Sequence, residues 1–149
     1  MVKLGSVDGV TTTPLKIIEL PNGNVLQSIK KDDIGFCGFG ECYFSYVNYD
    51  AIKAWKRHKK MTLNLTVPIG KIKFVIYDDR KESFTNGLFQ EIILSPSNYH
   101  RLTIPPKCWF GFQGLDKKEN LLLNVANIVH DPEEVDRKMI NEFDFDWSK

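Results

Sequence analysis

The sequence has little that would staple it, anchor it in a bilayer or charge it for a polyanion. Its three cysteines, Cys37, Cys42 and Cys108, are odd in number and match no zinc spacing. This excludes a disulfide frame and points to reduced thiols in a cytoplasmic protein. Apolar runs are short, far below the ~20 residues of a membrane-spanning helix, and the first residues, Met1 to Ser6, lack the apolar stretch of a signal peptide. Charge of one sign is missing too. Lys plus Arg total 20 against 19 Asp plus Glu, so no global field recruits nucleic acid or an anionic membrane. Gly35, Gly38 and Gly40 do not precede a helix, which removes the phosphate-binding glycine loops, and no Gly-X-Ser-X-Gly nucleophile elbow occurs. Only three histidines exist, and the position two before His58 is Lys56, so the paired histidines of a metal site are absent. No metal and no cofactor is expected.

What remains is an ordinary folding composition, 42% hydrophobic and 26% charged, of a length suited to one domain over 1–149. Turn signals recur at close intervals. Pro21-Asn22-Gly23-Asn24 separates 15–20 from 25–29, and Pro68-Ile69-Gly70 separates 61–67 from 71–78. Within 61–67, Met61, Leu63, Leu65 and Val67 are apolar and Thr62, Asn64 and Thr66 polar, the period of a strand with one buried face. Further strands fit 41–49, 52–56, 88–94, 101–104, 108–113 and 121–128. Many short strands with turns between them predict an all-β sandwich or barrel. One helix is expected near Pro132. Asp131 can cap it, Pro132 suits its first position, Glu133 and Glu134 complement its dipole, and Val135, Met139 and Ile140 give an apolar stripe.

Two segments carry chemistry. In Lys53-Ala54-Trp55-Lys56-Arg57-His58-Lys59-Lys60 the basic residues make either a solvated strand end or an anion site with a histidine at its centre. A pyrophosphate requires several cationic donors, and cations around a histidine favour its neutral form, which accepts a proton. In Cys108-Trp109-Phe110-Gly111-Phe112 the three aromatics either stack on a sugar or base or, as strand spacing favours, put Phe110 and Phe112 in the core and Trp109 on the opposite face. His100 reads as a surface loop residue, and His130 as surface or pocket rim.

From about Ala51 to Trp147 the order of segments resembles the dTDP-4-dehydrorhamnose 3,5-epimerase family, a cupin-type jelly roll. His58, in Trp55-Lys56-Arg57-His58, matches the histidine of that family's Arg-Gly-Leu-His. The hairpin through Pro68-Ile69-Gly70-Lys71 to Asp78-Asp79-Arg80 matches its Asp-X-Arg strand. Ser95, Asn98, Ile104-Pro105 and Gly111-Phe112 follow in the family's order, as do residues 121–127, Pro132 and Asp146-Trp147. The chain also resembles the sugar-nucleotide 3,4-ketoisomerases, through His58-Lys59-Lys60 followed by Gly70, with Lys56 in place of a first histidine.

These resemblances imply a metal-independent isomerase acting beside the ketone of a dTDP-4-keto-6-deoxy sugar, with His58 as general base. Departures accompany them. The epimerases' acid tyrosine falls at Leu123, a second histidine at Phe110, the enolate-stabilising lysine near Leu63 and an arginine at Trp55. Tyr77 is a substitute acid if it faces inward. Lys56, Arg57, Lys60 and Asn64 are candidates for substrate binding. The resemblance further implies a homodimer paired through N-terminal strands, without nucleic acid or membrane partners. Loss of the tyrosine leaves open an alternative, a sugar-nucleotide-binding or regulatory module without turnover.

Overall fold

In the computed structural model, which describes residues 2–148, two sheets pack face to face. The first has the order β1 (Lys3–Leu4), β9 (Leu88–Leu94), β8 (Ile72–Tyr77), β11 (Trp109–Gly114), β6 (Ile52–His58) and β13 (Val135–Arg137). The second has β2 (Thr11–Pro14), β10 (His100–Ile104), β7 (Leu63–Ile69), β12 (Leu121–Ala126) and β5 (Glu41–Tyr46). A small hairpin of β3 (Ile17–Ile18) and β4 (Val25–Leu26) lies outside them. All named pairings are antiparallel except β1 with β9. The all-β jelly-roll expectation is met. No helix among the described residues is long and apolar enough to cross a membrane.

Alternation builds the core. Leu63, Leu65 and Val67 of β7 meet Phe74 and Ile76 of β8 and Leu102 of β10 between the sheets. The turn joining β7 to β8 requires Gly70, whose φ is +84° and whose missing Cβ would sit 2.1 Å from the Glu119 carbonyl. The polar alternates of β7 are buried as well, because the excursion between β4 and β5 lies over the outer side of that sheet. Asn64 Nδ2 donates to the Gly35 carbonyl, and the fully buried Arg101 donates to the carbonyls of Ser28 and Ile34. Hydrogen bonds made inside the fold replace the water these groups give up.

Phe110 and Phe112 join the inter-sheet core, and Trp109 faces the other way, as strand spacing predicts. On that outer face Trp55, Phe89, Trp109 and Tyr77 form an aromatic layer roofed by Phe143, Phe145 and Trp147 of the C-terminal segment.

The helix expected at Pro132 is a correction. Asp131 does cap, its Oδ1 accepting from the Glu133 N–H, but only a 3-10 turn over Pro132–Glu134 follows. The chain then extends as β13 along β6, and a second 3-10 turn covers Ile140–Glu142. A helix would leave the edge of β6 unpaired, whereas β13 satisfies that edge. Val135, Met139 and Ile140 therefore form no common stripe.

Candidate active site

Strand β6 divides the basic segment between two sides of its sheet. Its register against β11 shifts between Phe110 and Gly111, which pair with Lys56 and Ala54 respectively. Trp55 is the extra residue, and its backbone exchanges two hydrogen bonds with Lys138 instead. Lys53, Lys56 and His58 consequently face the interior, while Trp55 and Arg57 face out.

The interior positions line a chamber of about 120 Å³ at the edge where β5 and β6 face each other. Lys53, Lys56, His58 and, from β13, Arg137 form one wall. Tyr43 and Ser45 of β5 with Leu122 and Asn124 of β12 form the facing wall, and Phe110 and Leu65 lie at the base. Glu41 and His130 stand at one end, where a Glu41 carboxylate oxygen accepts from the His130 backbone N–H. His130 is thus on the pocket rim, one of its two expected places.

His58 is held on two sides. Its ring stacks on Phe110 at 5.8 Å between centroids, and its Nδ1 lies 2.6 Å from Glu134 Oε1. Glu134 is 7% exposed, and its other oxygen accepts from the backbone N–H groups of Lys60 and Met61 at 2.8 Å each. Burial pushes the Glu134 carboxyl up, but these N–H groups and His58 outweigh it and hold the pKa below the usual carboxylate range. In the neutral ring, a carboxylate on Nδ1 places the hydrogen there and leaves Nε2 free to accept a proton. The charge touching His58 is therefore a carboxylate rather than the expected ring of cations. Across the chamber, Tyr43 Oη accepts from Asn124 Nδ2 at 3.0 Å. Burial, with Glu41 nearby, raises the Tyr43 pKa against the opposing effect of that bond. Burial also lowers the Lys56 pKa, helped by Arg137 and Lys53.

Of the residues read from sequence as substrate-binding or as a substitute acid, Lys56 reaches the chamber, whereas Arg57, Lys60, Asn64 and Tyr77 do not. Arg57 stacks over Trp109 at 4.5 Å and pairs with Asp79 and Asp136 on the outer face. Lys60 sits in the turn after β6, where its backbone N–H serves Glu134. Asn64 is buried beneath Gly35 and accepts from Thr103 Oγ1. Tyr77 faces outward, stacked on Phe89 at 4.4 Å, and so shares no cavity with His58. Leu123 alternates with the chamber residues Leu122 and Asn124 and points to the far side. His100 opens β10 rather than lying in a loop.

A larger cleft of about 830 Å³ borders His58 from the outside. Its Arg57 and Arg80 are already neutralised by Asp79 with Asp136 and by Asp78. The smaller chamber is the better site, since among the described residues its Lys53, Lys56 and Arg137 have no such carboxylate partner and it is lined by His58, whose Nδ1 Glu134 holds. Among the described residues no group of three or more His, Cys, Asp or Glu converges as a metal site.

Sequence reasoning did not find Glu134, Tyr43, Asn124, Lys53 or Arg137 as site residues. Only Lys53 carried a signal, as the first member of the basic segment. Glu134 reads as a helix-start acid, and pairing Tyr43 with Asn124 requires knowing that β5 lies beside β12.

The comparisons agree with this architecture. The chain is 38% identical to a dTDP-sugar isomerase of Desulfovibrio desulfuricans G20, whose crystal structure superposes with a TM-score of 0.92 over 95% of this chain and 92% of that one. A probable low-salt glycan biosynthesis epimerase of Haloferax volcanii is 32% identical over 99 residues, which is 66% of this chain but only 64% of that protein's length. The dTDP-4-dehydrorhamnose 3,5-epimerase of Elizabethkingia anophelis, at 16% identity and a TM-score of 0.81 over 100% of this chain and 86% of that one, shares the fold. No family model matches. The chain shares its fold with the 3,5-epimerases, and with 38% identity across nearly its full length it belongs to the family of that dTDP-sugar isomerase.

Proposed function

We propose that this protein isomerises or epimerises a dTDP-linked 4-keto-6-deoxy sugar at a carbon beside the ketone. One observation carries the reading: His58 lines an open chamber with Nδ1 committed to an ionised Glu134. A ketone acidifies the adjacent C–H, and removing that proton requires a positioned base. Nε2 of His58 takes the proton, and Glu134 stabilises the imidazolium that forms. The electron pair of the broken C–H bond moves to the ketone oxygen. Lys56, with Lys53 and Arg137 beside it, supports the resulting enolate and the substrate diphosphate. No metal is needed for these steps, because the cations supply the electrophilic support. The names of the relatives, a dTDP-sugar isomerase and a glycan biosynthesis epimerase, support the substrate class.

A homodimer fits the exposed apolar side chains of β5 and the β3–β4 hairpin, among them Phe44, Tyr46, Ile18 and Val25. Sedimentation at micromolar concentration tests it, and a monomer would rule it out.

The functional test is incubation with dTDP-4-keto-6-deoxyglucose in heavy water, followed by NMR. Deuterium entering a sugar position next to the ketone is the expected result. Binding of the nucleotide sugar with no exchange at any carbon would instead identify a binding module.

A further inference from the structure

Arg137 reaches the chamber from β13, a strand of three residues at the edge of its sheet. That strand pairs with β6 as Val135 with His58, Asp136 with Arg57 and Arg137 with Lys56. A slip of one residue would turn Arg137 to the outer face and bring the Asp136 carboxylate inward. A ladder of three pairs is too short to fix its own register. On the outer face Asp136 pairs with Arg57 at 2.9 Å, but the two side chains are 34% and 31% exposed, and such pairs contribute little.

The firm anchor is Trp55, which is 1% exposed. The bulge leaves it without a partner on β11. Its backbone N–H donates to the Lys138 carbonyl at 3.0 Å, and its carbonyl accepts from the Lys138 N–H at 3.1 Å, which closes the ladder one position beyond Arg137. Its indole Nε1 donates to the Ile140 carbonyl at 3.2 Å. Phe143 and Trp147 then pack on the indole, with ring centroids at 5.3 and 5.4 Å. All of these contacts lie on the side of β6 away from the chamber.

We infer that Trp55 is a positioning residue for the reaction: clasped by the C-terminal segment on the outer face, it sets the register of β13 and thereby holds Arg137 beside Lys56 in the chamber. This rests on the epimerase or isomerase reading above and deepens it. Glu134 does not depend on this anchor, because the backbone N–H groups of Lys60 and Met61 hold it at the other end of β13. Loss of Trp55 therefore removes one chamber cation and leaves the His58–Glu134 pair in place.

The test compares the unaltered chain with Trp55→Leu, Arg137→Leu and the double variant. Lys56 and Arg137 lie between the hydrogen-bonded pairs of their ladder, so their Hα protons face each other and give an NMR contact that needs no ligand. The second readout is calorimetric binding of dTDP, whose diphosphate Arg137 supports. Trp55→Leu should lose the Hα contact and weaken dTDP roughly tenfold, as loss of one charge-assisted hydrogen bond does. Arg137→Leu should weaken dTDP as much and keep the contact. In the double variant the two losses should not multiply, staying within about twofold of either single variant. Trp55→Phe, which keeps a ring and loses the N–H, secures the test if Trp55→Leu does not fold. It should weaken dTDP about threefold, the effect of one neutral hydrogen bond, again without adding to Arg137→Leu. A persisting contact with unaltered dTDP affinity in the Trp55 variants would overturn the assignment. So would losses that multiply, which mark a general structural role. Deuterium entry from heavy water is read separately: its absence in the unaltered protein would overturn the functional reading, while the Hα contact and the binding cycle judge Trp55 by themselves.

Discussion

The two faces of β6 carry similar residues and put them to opposite uses. On the outer face, Arg57 lies over Trp109 and is bracketed by Asp79 and Asp136. Nearby, Arg80 is locked to the fully buried Asp78. Each of these two arginines has its carboxylate, so neither guanidinium is left open to an anion, although Lys81 and Lys107 also line that cleft. On the inner face, Lys56 and Arg137 sit side by side with no carboxylate on either among the described residues, and the buried carboxylate of Glu134 is spent on His58. Unpaired cations in a partly dry chamber destabilise the empty protein slightly and are relieved by an anionic ligand or an enolate. Paired charges mark structure here, and unpaired ones mark the site.

The largest break in this contrast is expected from His58→Asn. Turnover should fall roughly 10²–10⁴-fold, the range for a positioned general base, while binding of dTDP measured by calorimetry survives. Next comes Glu134→Ala. It strips a partner from the backbone N–H groups of Lys60 and Met61 as well as from His58. Denaturant unfolding should show a loss of about 2–4 kcal/mol, alongside impaired turnover. Lys56→Met should slow turnover about 10²-fold, as removal of one electrophilic donor does, with the unfolding midpoint unchanged or raised. An unfolding midpoint that dropped sharply would instead make Lys56 structural.

Acid separates the faces less sharply. Burial pushes the Asp78 carboxyl up, but Arg80, Ser83 and Thr85 outweigh it, and its pKa lies far below the usual range. Glu134 is lowered as well. Both groups take up protons more readily in the unfolded chain, whose carboxylates titrate near pH 4. The stability they contribute is full above about pH 5 and is lost progressively as the pH falls toward their folded values. Unfolding free energies measured from pH 7 down to pH 3 should decline, and Asp78→Asn should flatten the decline. The smallest effect is Arg57→Ala. Its two exposed-edge ion pairs and its stacking contribute about 1 kcal/mol together, and turnover per folded molecule should not change.

Strands were legible in the sequence wherever one side met the core. The alternation from Met61 to Val67 and the turn at Gly70 delimit β7 and β8, and Trp109 parts from Phe110 and Phe112 as a strand requires. Alternation failed at Trp55, because a bulge makes two successive residues of β6 face out, and no local pattern announces it. The segment after Asp131 misled for another reason. Its cap is real, but pairing of Val135–Arg137 with β6 overrides helix propensity, a tertiary preference invisible in the local residues. His58 and Lys56 could be read from a short basic segment. Glu134, Tyr43 and Asn124 could not, since they come from distant parts of the chain and meet only when the sheets close.

The most direct measurement is the rate of deuterium entry at the carbon beside the ketone of dTDP-4-keto-6-deoxyglucose, compared between His58→Asn and Arg57→Ala, adjacent residues on opposite faces of β6. The account predicts exchange reduced by roughly 10²-fold or more in His58→Asn and unchanged per folded molecule in Arg57→Ala. Exchange that persists at the unaltered rate without His58, or that vanishes with Arg57, would contradict it.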